Sequence, residues 1–340
     1  MGGTNGGQAP RILLSAIAAE RHGAAIRAVA PGAVLLPVPP EGPLPDTAGA
    51  SIAFSTRDLI ERGTRDVPAP EILRFVALVR QAPDLRWVHI HAAGADSPRF
   101  RAMADRPGIA LTTSAGASAH AVAQSALAGM LALARFFPRL AGAQRRHAWE
   151  PLYLADPLPR DLRRQRVLVL GTGPIGQELG HYCRGLRMRV TGIRRDPAAG
   201  LPPGFDAIAG FGDLPDLLPG TDWLVLACPL TETTRDLVDA GFLARLPRGA
   251  GLVNVARGQV VVEPDLLAAL RSGHVSGAYL DVFAHEPLAA DSPFWDLPNV
   301  IISPHSAAAC EGLPDAVAEI FCENLRRFLA GAPLRNLVAP

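Results

Sequence analysis

The sequence contains no lysine, since all 33 of its basic residues are arginine. A phosphate-binding loop of the Walker type, Schiff-base catalysis and the tyrosine–lysine pair of some dehydrogenases each depend on a lysine amine. The sequence therefore excludes these mechanisms. Any reaction that this chain catalyses must use arginine, histidine and carboxylate side chains.

The sequence also lacks a large net charge and a long apolar run. Its 33 basic and 32 acidic residues give a formal net charge of +1, so the charge indicates neither nucleic acid nor an anionic membrane as a partner. No apolar stretch reaches membrane-spanning length, and the first ten residues, MGGTNGGQAP, show no basic segment followed by an apolar one. We expect a soluble, cytoplasmic protein whose Gly-rich start has no fixed structure.

Cysteine is scarce and scattered. The four cysteines stand at positions 183, 228, 310 and 322, with no CxxC pair, and this pattern is typical of reduced thiols in a cytoplasmic protein. His285, Glu286, His305 and Cys310 include no pair with the spacing of metal ligands on a helix or hairpin, so no metal site is predicted.

What is present is organised around residues 166–195. An apolar run leads into a Gly-rich loop, a helical stretch follows, and a second apolar run ends at Ile193. In such a loop the first glycine makes a tight turn, the second lets the backbone approach a pyrophosphate, and the third lets the helix pack on the strand. The amides at the start of the helix then face an anion. We predict dinucleotide binding by the loop residues Gly171, Thr172, Gly173, Pro174, Ile175 and Gly176.

Strand and helix patterns alternate along the 340 residues, a length that indicates two domains. The predicted strands outside residues 166–195 are 11–17, 50–54, 85–91, 109–112, 223–227, 251–255, 278–283 and 300–302. The predicted helices are 20–30, 71–80, 119–135, 239–245, 265–271 and 313–329. Two segments are interpreted as loops: the Pro/Gly-rich residues 31–49 and a linker at 139–164.

This alternation predicts an α/β protein with a doubly wound parallel-sheet (Rossmann) cofactor domain and a smaller, discontinuous, flavodoxin-like α/β substrate domain. We expect residues 1–112 and 308–340 to form the substrate domain and residues 113–307 the dinucleotide-binding domain. Ligands of such sheets bind outside the carboxyl ends of the strands, so we expect the substrate in a cleft between the domains. The Ala/Leu-rich helix 119–135 is too apolar to leave in solvent, and we expect it in a dimer interface.

Three polar residues follow predicted strands, where their side chains would share one edge of the sheet. They are Arg257, Glu286 and His305. Histidine exchanges a proton near neutral pH, a carboxylate hydrogen-bonded to its ring favours the imidazolium, and an arginine binds a substrate carboxylate through two hydrogen bonds. Together these groups would suit proton-coupled hydride transfer.

Five segments, in order and at matching spacing, resemble the D-isomer-specific 2-hydroxyacid dehydrogenase family. They are GTGPIG (171–176), CPLTETT (228–234), NVARG (254–258), LDVFAHEPL (280–288) and PNVIISPH (298–305). The resemblance extends over residues 85–330, and the residues before it match only in outline. It implies NAD(P)H-linked interconversion of small 2-oxo acids and D-2-hydroxy acids, usually by a homodimer.

The resemblance also implies roles for single residues. Arg257, Glu286 and His305 fall on the catalytic positions of the family. Its cofactor positions, besides the glycine loop, fall on Cys228, Pro229, Thr234, Val255, Ala256, Asp281 and His305. Asp281 matches a residue near the nicotinamide carboxamide. The substrate positions fall on Arg257, on Trp149, and on Ala93 and Gly94 in the loop Ala92–Asp96, whose amides would hold the substrate carboxylate.

Some residues depart from the family pattern or stay open. Val262 stands where Asp is usual, Gln124 where Glu is common and Thr113 where Asn is frequent, which affects local packing or stability rather than the reaction. His89 and His91 lie on the strand before the carboxylate loop, as substrate contacts or as core or interface histidines.

The end of the second strand of the dinucleotide unit predicts the cofactor. In such folds a carboxylate about 20 residues past the glycine loop bonds the 2′-hydroxyl of the adenosine ribose and repels a 2′-phosphate. Here Arg194 and Arg195 follow Ile193, and Asp196 comes just before Pro197. Arginine binds phosphate well, so we expect a preference for NADP(H), with NAD(H) also possible if Asp196 supplies the carboxylate.

The leading hypothesis is therefore NADPH-linked reduction of a small 2-oxo acid, glyoxylate or hydroxypyruvate-like, with His305 as the proton donor. Two alternatives stay open. One is another dehydrogenase of the superfamily, acting on formate or phosphite, although formate dehydrogenase pairs its active histidine with Gln where this chain has Glu286. The other is a nucleotide-sensing, corepressor-like binding protein, although those proteins carry extensions that this chain almost lacks.

Overall fold

The structure is a computed structural model that describes residues 9–63, 67–95 and 97–338. The Gly-rich start and Asp96 of the carboxylate loop lie outside the described residues. The chain divides into two units. The first runs up to Ser118 and resumes at Cys310, and the second is Ala119–Ala309. Residues 113–118 therefore lie with the first unit, and residues 308 and 309 with the second.

The first unit contains a five-stranded sheet of parallel strands in the order β2-β1-β3-β4-β5. The strands are β1 (Arg11–Ser15), β2 (Val34–Val38), β3 (Ala50–Ser55), β4 (Trp87–Ile90) and β5 (Ala110–Thr113). The helices are α1 (Ala16–Val29), α2 (Pro70–Gln81), α3 (Pro98–Ala102) and the last helix of the chain, α10 (Leu313–Leu329). Apolar side chains cover both faces of this sheet, as a parallel sheet requires. Phe54 and Trp87 stack on Phe321 of α10 on one face.

Two details of the first unit differ from the sequence prediction. The first strand ends at Ser15 rather than at residue 17, because the Ser15 hydroxyl accepts a hydrogen bond from the amide of Ala18 at 3.0 Å and begins α1 there. Strand β2 falls within the segment that was interpreted as a loop. Its Pro37 is tolerated because β2 is an edge strand, where a missing N–H breaks no ladder.

The second unit contains a seven-stranded sheet of parallel strands in the order β12-β11-β10-β9-β6-β7-β8. The strands are β6 (Arg166–Leu170), β7 (Arg189–Ile193), β8 (Ala207–Ala209), β9 (Trp223–Leu226), β10 (Ala250–Asn254), β11 (Val275–Leu280) and β12 (Val300–Ile302). The helices are α4 (Ala119–Ala134), α5 (Phe137–Arg145), α6 (Pro174–Gly185), α7 (Leu214–Leu217), α8 (Ala240–Arg245) and α9 (Glu263–Arg271). The sequence prediction missed the short edge strand β8 and extended the loop-rich linker over the end of α5.

Helix α4 packs one of its sides within its own unit, and the expectation that it lies in a dimer interface stays a prediction. One side of it is buried against β10, β11 and α6, and a Cβ at Gly129 would lie 2.5 Å from the ring of Tyr279. Five of the exposed large apolar side chains of the described residues come later, on an arm that we define as residues 137–158. They are Phe137, Trp149, Tyr153, Leu154 and Leu158.

The described residues include no single helix that is long and apolar enough to cross a membrane. Helices α4 and α5 pass that length and composition test only as a pair, and the pair is bent by 68° at its break.

Candidate active site

The predicted site residues of the second unit lie along one edge of its sheet. Because the strands are parallel, their carboxyl ends share that edge. In sheet order the loops after the strands carry His305 after β12, Glu286 after β11, Arg257 after β10, Cys228 after β9, the glycine loop after β6 and Arg194 after β7. The chain reverses direction across the sheet between β9 and β6. That switch point is where open α/β sheets bind their ligands.

The glycine loop has the geometry that a pyrophosphate needs. Gly171 has a φ of 109°, and a Cβ there would lie 2.4 Å from the carbonyl oxygen of Ala227. A Cβ at Gly176 would lie 2.1 Å from the carbonyl oxygen of Gly171, so this glycine lets α6 approach the loop. Apart from the adjoining residues, no described atom lies within 4 Å of a Cβ built on Gly173, the N-cap of α6. The backbone is therefore open on the side that an anion would approach, and the loop fits a dinucleotide.

The end of β7 presents arginine rather than a carboxylate. Arg194 is half-buried, and its Nη2 donates to the carbonyl oxygen of Gly200 at 2.5 Å. Its Nε has no acceptor within the described part of the chain. Arg195 is exposed. Asp196 is also exposed, and its Oδ1 accepts a hydrogen bond from the amide of Ala198 at 3.0 Å, so its carboxylate belongs to a local turn.

The structure brings His305 and Glu286 into direct contact. Nδ1 of His305 and Oε2 of Glu286 are 2.7 Å apart. The other carboxylate oxygen of Glu286 accepts the amide of Phe283 at 3.1 Å, which fixes the orientation of the carboxylate. The Glu286 side chain is 16% exposed and that of His305 48%. An ionised carboxylate only accepts hydrogen bonds, so Nδ1 carries a proton and Nε2 remains for proton exchange.

Arg257 sits on a loop that is packed tightly against the loop of Glu286. A Cβ at Gly258 would lie 1.8 Å from the carbonyl carbon of Phe283, so only glycine allows this approach. The buried Asn254 shapes the same loop, because its side chain accepts from the amide of Ala256 and donates to the carbonyl of Arg257. The Arg257 guanidinium donates to the carbonyl oxygen of Ala256 at 2.7 Å.

Asp281 holds the loop that carries His305. Its backbone oxygen accepts the amide of His305 at 2.8 Å. One oxygen of its carboxylate accepts the amides of Ser306 and Ala307 at 2.8 and 2.9 Å. His305 itself has a φ of 51°, a left-handed conformation that costs a non-glycine residue about 1–2 kcal/mol. The contacts of Asp281 offset that cost.

The remaining residues predicted to contact the cofactor line the same edge. Val255 and Ala256 are buried at the end of β10. Cys228 is buried after β9, and burial raises the pKa of its thiol to about 11, so it remains protonated. The loop from Pro229 continues to Thr234, whose hydroxyl donates to the Pro229 carbonyl oxygen at 2.8 Å. Thr234 is buried, and its hydroxyl stabilises this loop.

The first unit carries the other predicted contacts. The amides of Ala93 and Gly94 have no acceptor within the described residues, as a carboxylate-binding loop would require. His89 is a core histidine. It is fully buried between the hydroxyls of Thr112 and Ser114, at 2.7 and 2.9 Å. Burial lowers the pKa of His89 to about 3 and that of His91 to about 4, so both rings are neutral at pH 7.

Comparison with known proteins identifies the family of this chain. The family profile described as "D-isomer specific 2-hydroxyacid dehydrogenase, NAD binding domain" matches residues 127–307. Glyoxylate reductase of Korarchaeum cryptofilum is 34% identical over 269 residues, 76% of this chain and 77% of that protein. The chain belongs to the D-isomer-specific 2-hydroxyacid dehydrogenase family.

A further relative and a solved structure support the same family. Glyoxylate/hydroxypyruvate reductase B of Yersinia enterocolitica is 33% identical over 265 residues, 78% of this chain and 80% of that protein. Among solved structures, the D-isomer specific 2-hydroxyacid dehydrogenase from Xanthobacter autotrophicus Py2, in complex with NADPH and MES, is 32% identical. It has a TM-score of 0.75 and covers 98% of this chain and 99% of its own. The resemblance seen in the sequence is thus confirmed, and the chain is an NAD(P)-dependent oxidoreductase with two parallel-sheet α/β domains.

Sequence reasoning about this dehydrogenase missed the residues that shape its loops. Asn254 lies in a quoted motif but received no role, and Ser303 received none either. Each is a polar residue at the carboxyl end of an otherwise apolar strand, a signal that could have marked them. Trp149 is 95% exposed on the arm, and its predicted substrate contact stays a prediction.

Proposed function

We propose that this dehydrogenase reduces a small 2-oxo acid to the D-2-hydroxy acid with NADPH, and that His305 donates the proton. The observation that carries the proposal is the 2.7 Å contact between His305 and Glu286 on the sheet edge that also holds the glycine loop. The relatives from Korarchaeum and Yersinia are named glyoxylate and glyoxylate/hydroxypyruvate reductases. We infer a substrate of that size and chemistry.

The chemistry of the proposal divides among three side chains. A bound nicotinamide supplies the hydride. His305 gives a proton from Nε2 to the oxygen of the carbonyl group, and Glu286 accepts the proton on Nδ1 and so orients the ring. Arg257 binds the substrate carboxylate and polarises the neighbouring carbonyl.

The preference for NADPH rests on the end of β7. Arg194 supplies a guanidinium at the strand end, and Arg195 supplies a second one that is exposed. The carboxylate of Asp196, which would favour NADH, is engaged in its own turn. The Xanthobacter relative was crystallised with NADPH, which agrees with this reading.

A panel of 2-oxo acids, assayed with NADPH and with NADH through the absorbance of the reduced cofactor, tests the proposal. We expect turnover of glyoxylate or hydroxypyruvate with NADPH. His305→Ala should lower kcat about 100-fold or more while NADPH binding stays nearly intact, because only general acid catalysis is lost. Arg257→Ala should mainly raise KM for the oxo acid, by about tenfold or more, because a charge-assisted contact is removed.

A matched control is His120→Gln. His120 pairs with Glu178 at 3.0 Å on the surface of the same unit, so the variant removes a histidine–carboxylate pair without touching the proposed site. We expect its kcat to equal that of the wild type. Near-normal turnover by His305→Ala, or turnover of formate or phosphite without any 2-oxo acid, would contradict the proposed mechanism.

We further propose that two copies associate through the arm. Its exposed large apolar side chains are an unfavourable surface for an isolated chain, and a second copy would cover them symmetrically. Sedimentation of a dimer at micromolar concentration is the expected result. A wild-type monomer at that concentration would refute the association.

A further inference from the structure

A chain of hydrogen bonds from Tyr279 through Ser303 to Asp281 adjoins the loop of His305. The hydroxyl of Tyr279 and the Oγ of Ser303 are 2.8 Å apart. Ser303 Oγ in turn donates to Oδ1 of Asp281, the oxygen that also accepts the amides of Ser306 and Ala307. Tyr279 is 5% exposed and Asp281 4%. One oxygen of a buried carboxylate therefore receives three donors, from residues that are themselves partly exposed or buried.

The direction of this chain is fixed by the chemistry of its members. The carboxylate of Asp281 only accepts, so the single hydroxyl proton of Ser303 goes to it. A lone pair of Ser303 is then left to accept from the phenol of Tyr279. Burial raises the pKa of Tyr279 above its usual value, so the phenol keeps its proton at neutral pH. The chain thus runs as a donor series from Tyr279 to Asp281.

Asp281 holds the backbone on both sides of His305 by hydrogen bonds. The amide of His305 donates to the backbone oxygens of Asp281 and Ser303, at 2.8 and 3.0 Å. The two residues after His305 are tied to the Asp281 carboxylate. The left-handed φ of His305 persists because contacts on both sides determine it. Since the ring is half-exposed, its aim at Glu286 depends on this backbone more than on packing.

We propose that Tyr279 and Ser303 are positioning residues: they hold the Asp281 carboxylate, which sets the backbone of His305 and so aims its ring at Glu286. The inference rests on the proposed function for its catalytic consequence. Asp281 is already expected to contact the nicotinamide. The inference gives the same side chain a second task, which is to hold the backbone of His305. The two tasks differ in what they predict, because a cofactor contact affects NADPH affinity whereas a positioning role affects the proton transfer.

Ser303→Ala separates the two tasks, because it leaves Asp281 in place. We expect kcat to fall about tenfold with saturating NADPH, the cost of one hydrogen bond to a charged group. The Kd for NADPH, measured by fluorescence, and KM for the oxo acid should each stay within about twofold. Ser303→Thr keeps the hydroxyl and should restore kcat. Tyr279→Phe keeps the ring against Gly129 and should lower kcat by about threefold to fivefold.

A matched control is Ser276→Ala on the same strand as Tyr279. Its hydroxyl donates to the carbonyl of Ala250 at 3.2 Å and takes no part in the chain, so its kcat should equal that of the wild type. An unchanged kcat in both Ser303→Ala and Tyr279→Phe would overturn the proposal. A loss of NADPH affinity that accounts for the whole effect would also overturn it, because the chain would then serve the cofactor alone.

A second readout does not depend on activity. In protein labelled with ¹⁵N-histidine, the ring signals of His305, assigned by their loss in His305→Gln, report the bond between Nδ1 and Glu286. We expect Ser303→Ala to shift them and Ser276→Ala to leave them in place. Identical His305 signals in Ser303→Ala and wild type would overturn the proposal. If the wild type reduces no 2-oxo acid, the proposed function fails while these spectra still decide the positioning role.

Discussion

Replacing Arg194 by alanine should remove the preference of this dehydrogenase for NADPH. The Nη2 of Arg194 already donates to the carbonyl oxygen of Gly200, and its Nε is buried without an acceptor among the described residues, so the donors at the outer end of the guanidinium are the ones that a 2′-phosphate would use. A hydrogen bond between charged partners is worth about 1.5–3 kcal/mol. Because Arg194 is only half-buried, solvent screening favours the lower part of that range.

At about 1.4 kcal/mol per factor of ten, kcat/KM for NADPH should fall about 10- to 30-fold in Arg194→Ala. The value for NADH should change by less than about twofold, since a ribose hydroxyl offers no charge for arginine to bind. The assay is initial rates with each cofactor at fixed, saturating oxo acid. Arg195→Ala is the matched control, and its effect should be smaller because Arg195 is exposed.

Two results would refute this reasoning. One is a wild-type preference for NADH, which would mean that the strand end does not select a phosphate. The other is an equal loss with both cofactors in Arg194→Ala, which would mean that the arginine matters through its bond to Gly200 and the shape of the turn. Asp196→Ala adds a check from the opposite side. If the Asp196 carboxylate bound the ribose, this variant would lose activity with NADH, and we expect no such loss.

Three further predictions concern stability and loop packing. The pKa values of His89 and His91 lie below the ordinary value of 6.5, at about 3 and 4, so the unfolded chain binds protons first. The free energy of unfolding should be at its full value above pH 6.5. On acidification it should fall by about 1.4 kcal/mol per pH unit for each histidine, until the pH reaches the pKa of that histidine in the folded protein. Urea unfolding at pH 7 and 5 measures this, and a flatter profile is expected for His89→Gln. Val262→Asp should stabilise the protein by about 1 kcal/mol in the same assay, because among the described residues no side chain caps α9 at this position; an unchanged midpoint would contradict the capping argument. Gly258→Ala should lower kcat by more than about tenfold, because its Cβ would lie 1.8 Å from a backbone carbon of the neighbouring loop, and wild-type rates would show that this packing is dispensable.

The sequence predicted the positions of strands and helices along the chain well where apolar runs were bounded by glycine, proline or polar residues. Residues 300–302 and 313–329 coincide with β12 and α10. Strand β2 was missed because its edge position tolerates a proline and half-exposed residues, so neither its composition nor its periodicity distinguished it from a loop. That one side of α4 packs on its own sheet could not be predicted, since an apolar helix looks the same whether its own sheet or a second copy contacts it.

In the candidate site, too, some features could be predicted from the sequence and others depend on contacts between separate strands. That Arg257, Glu286 and His305 share an edge follows from the parallel alternation of strands and helices alone. The bond from Ser303 to Asp281 does not follow, because it joins the loops after two neighbouring strands and depends on their register. Periodicity identifies strands but does not fix which residues of two strands stand opposite each other.

Two glycines let neighbouring loops approach each other closely along the sheet edge. Gly171 brings the loop after β6 against the loop after β9, and Gly258 brings the loop after β10 against the loop after β11. At each place a single Cβ would collide with the backbone of the neighbouring loop. The close spacing of these loops therefore depends on glycine, which has no Cβ. The reactive groups are therefore held by rigid backbone contacts rather than by their own packing. This explains how a half-exposed His305 can keep a fixed partner in Glu286.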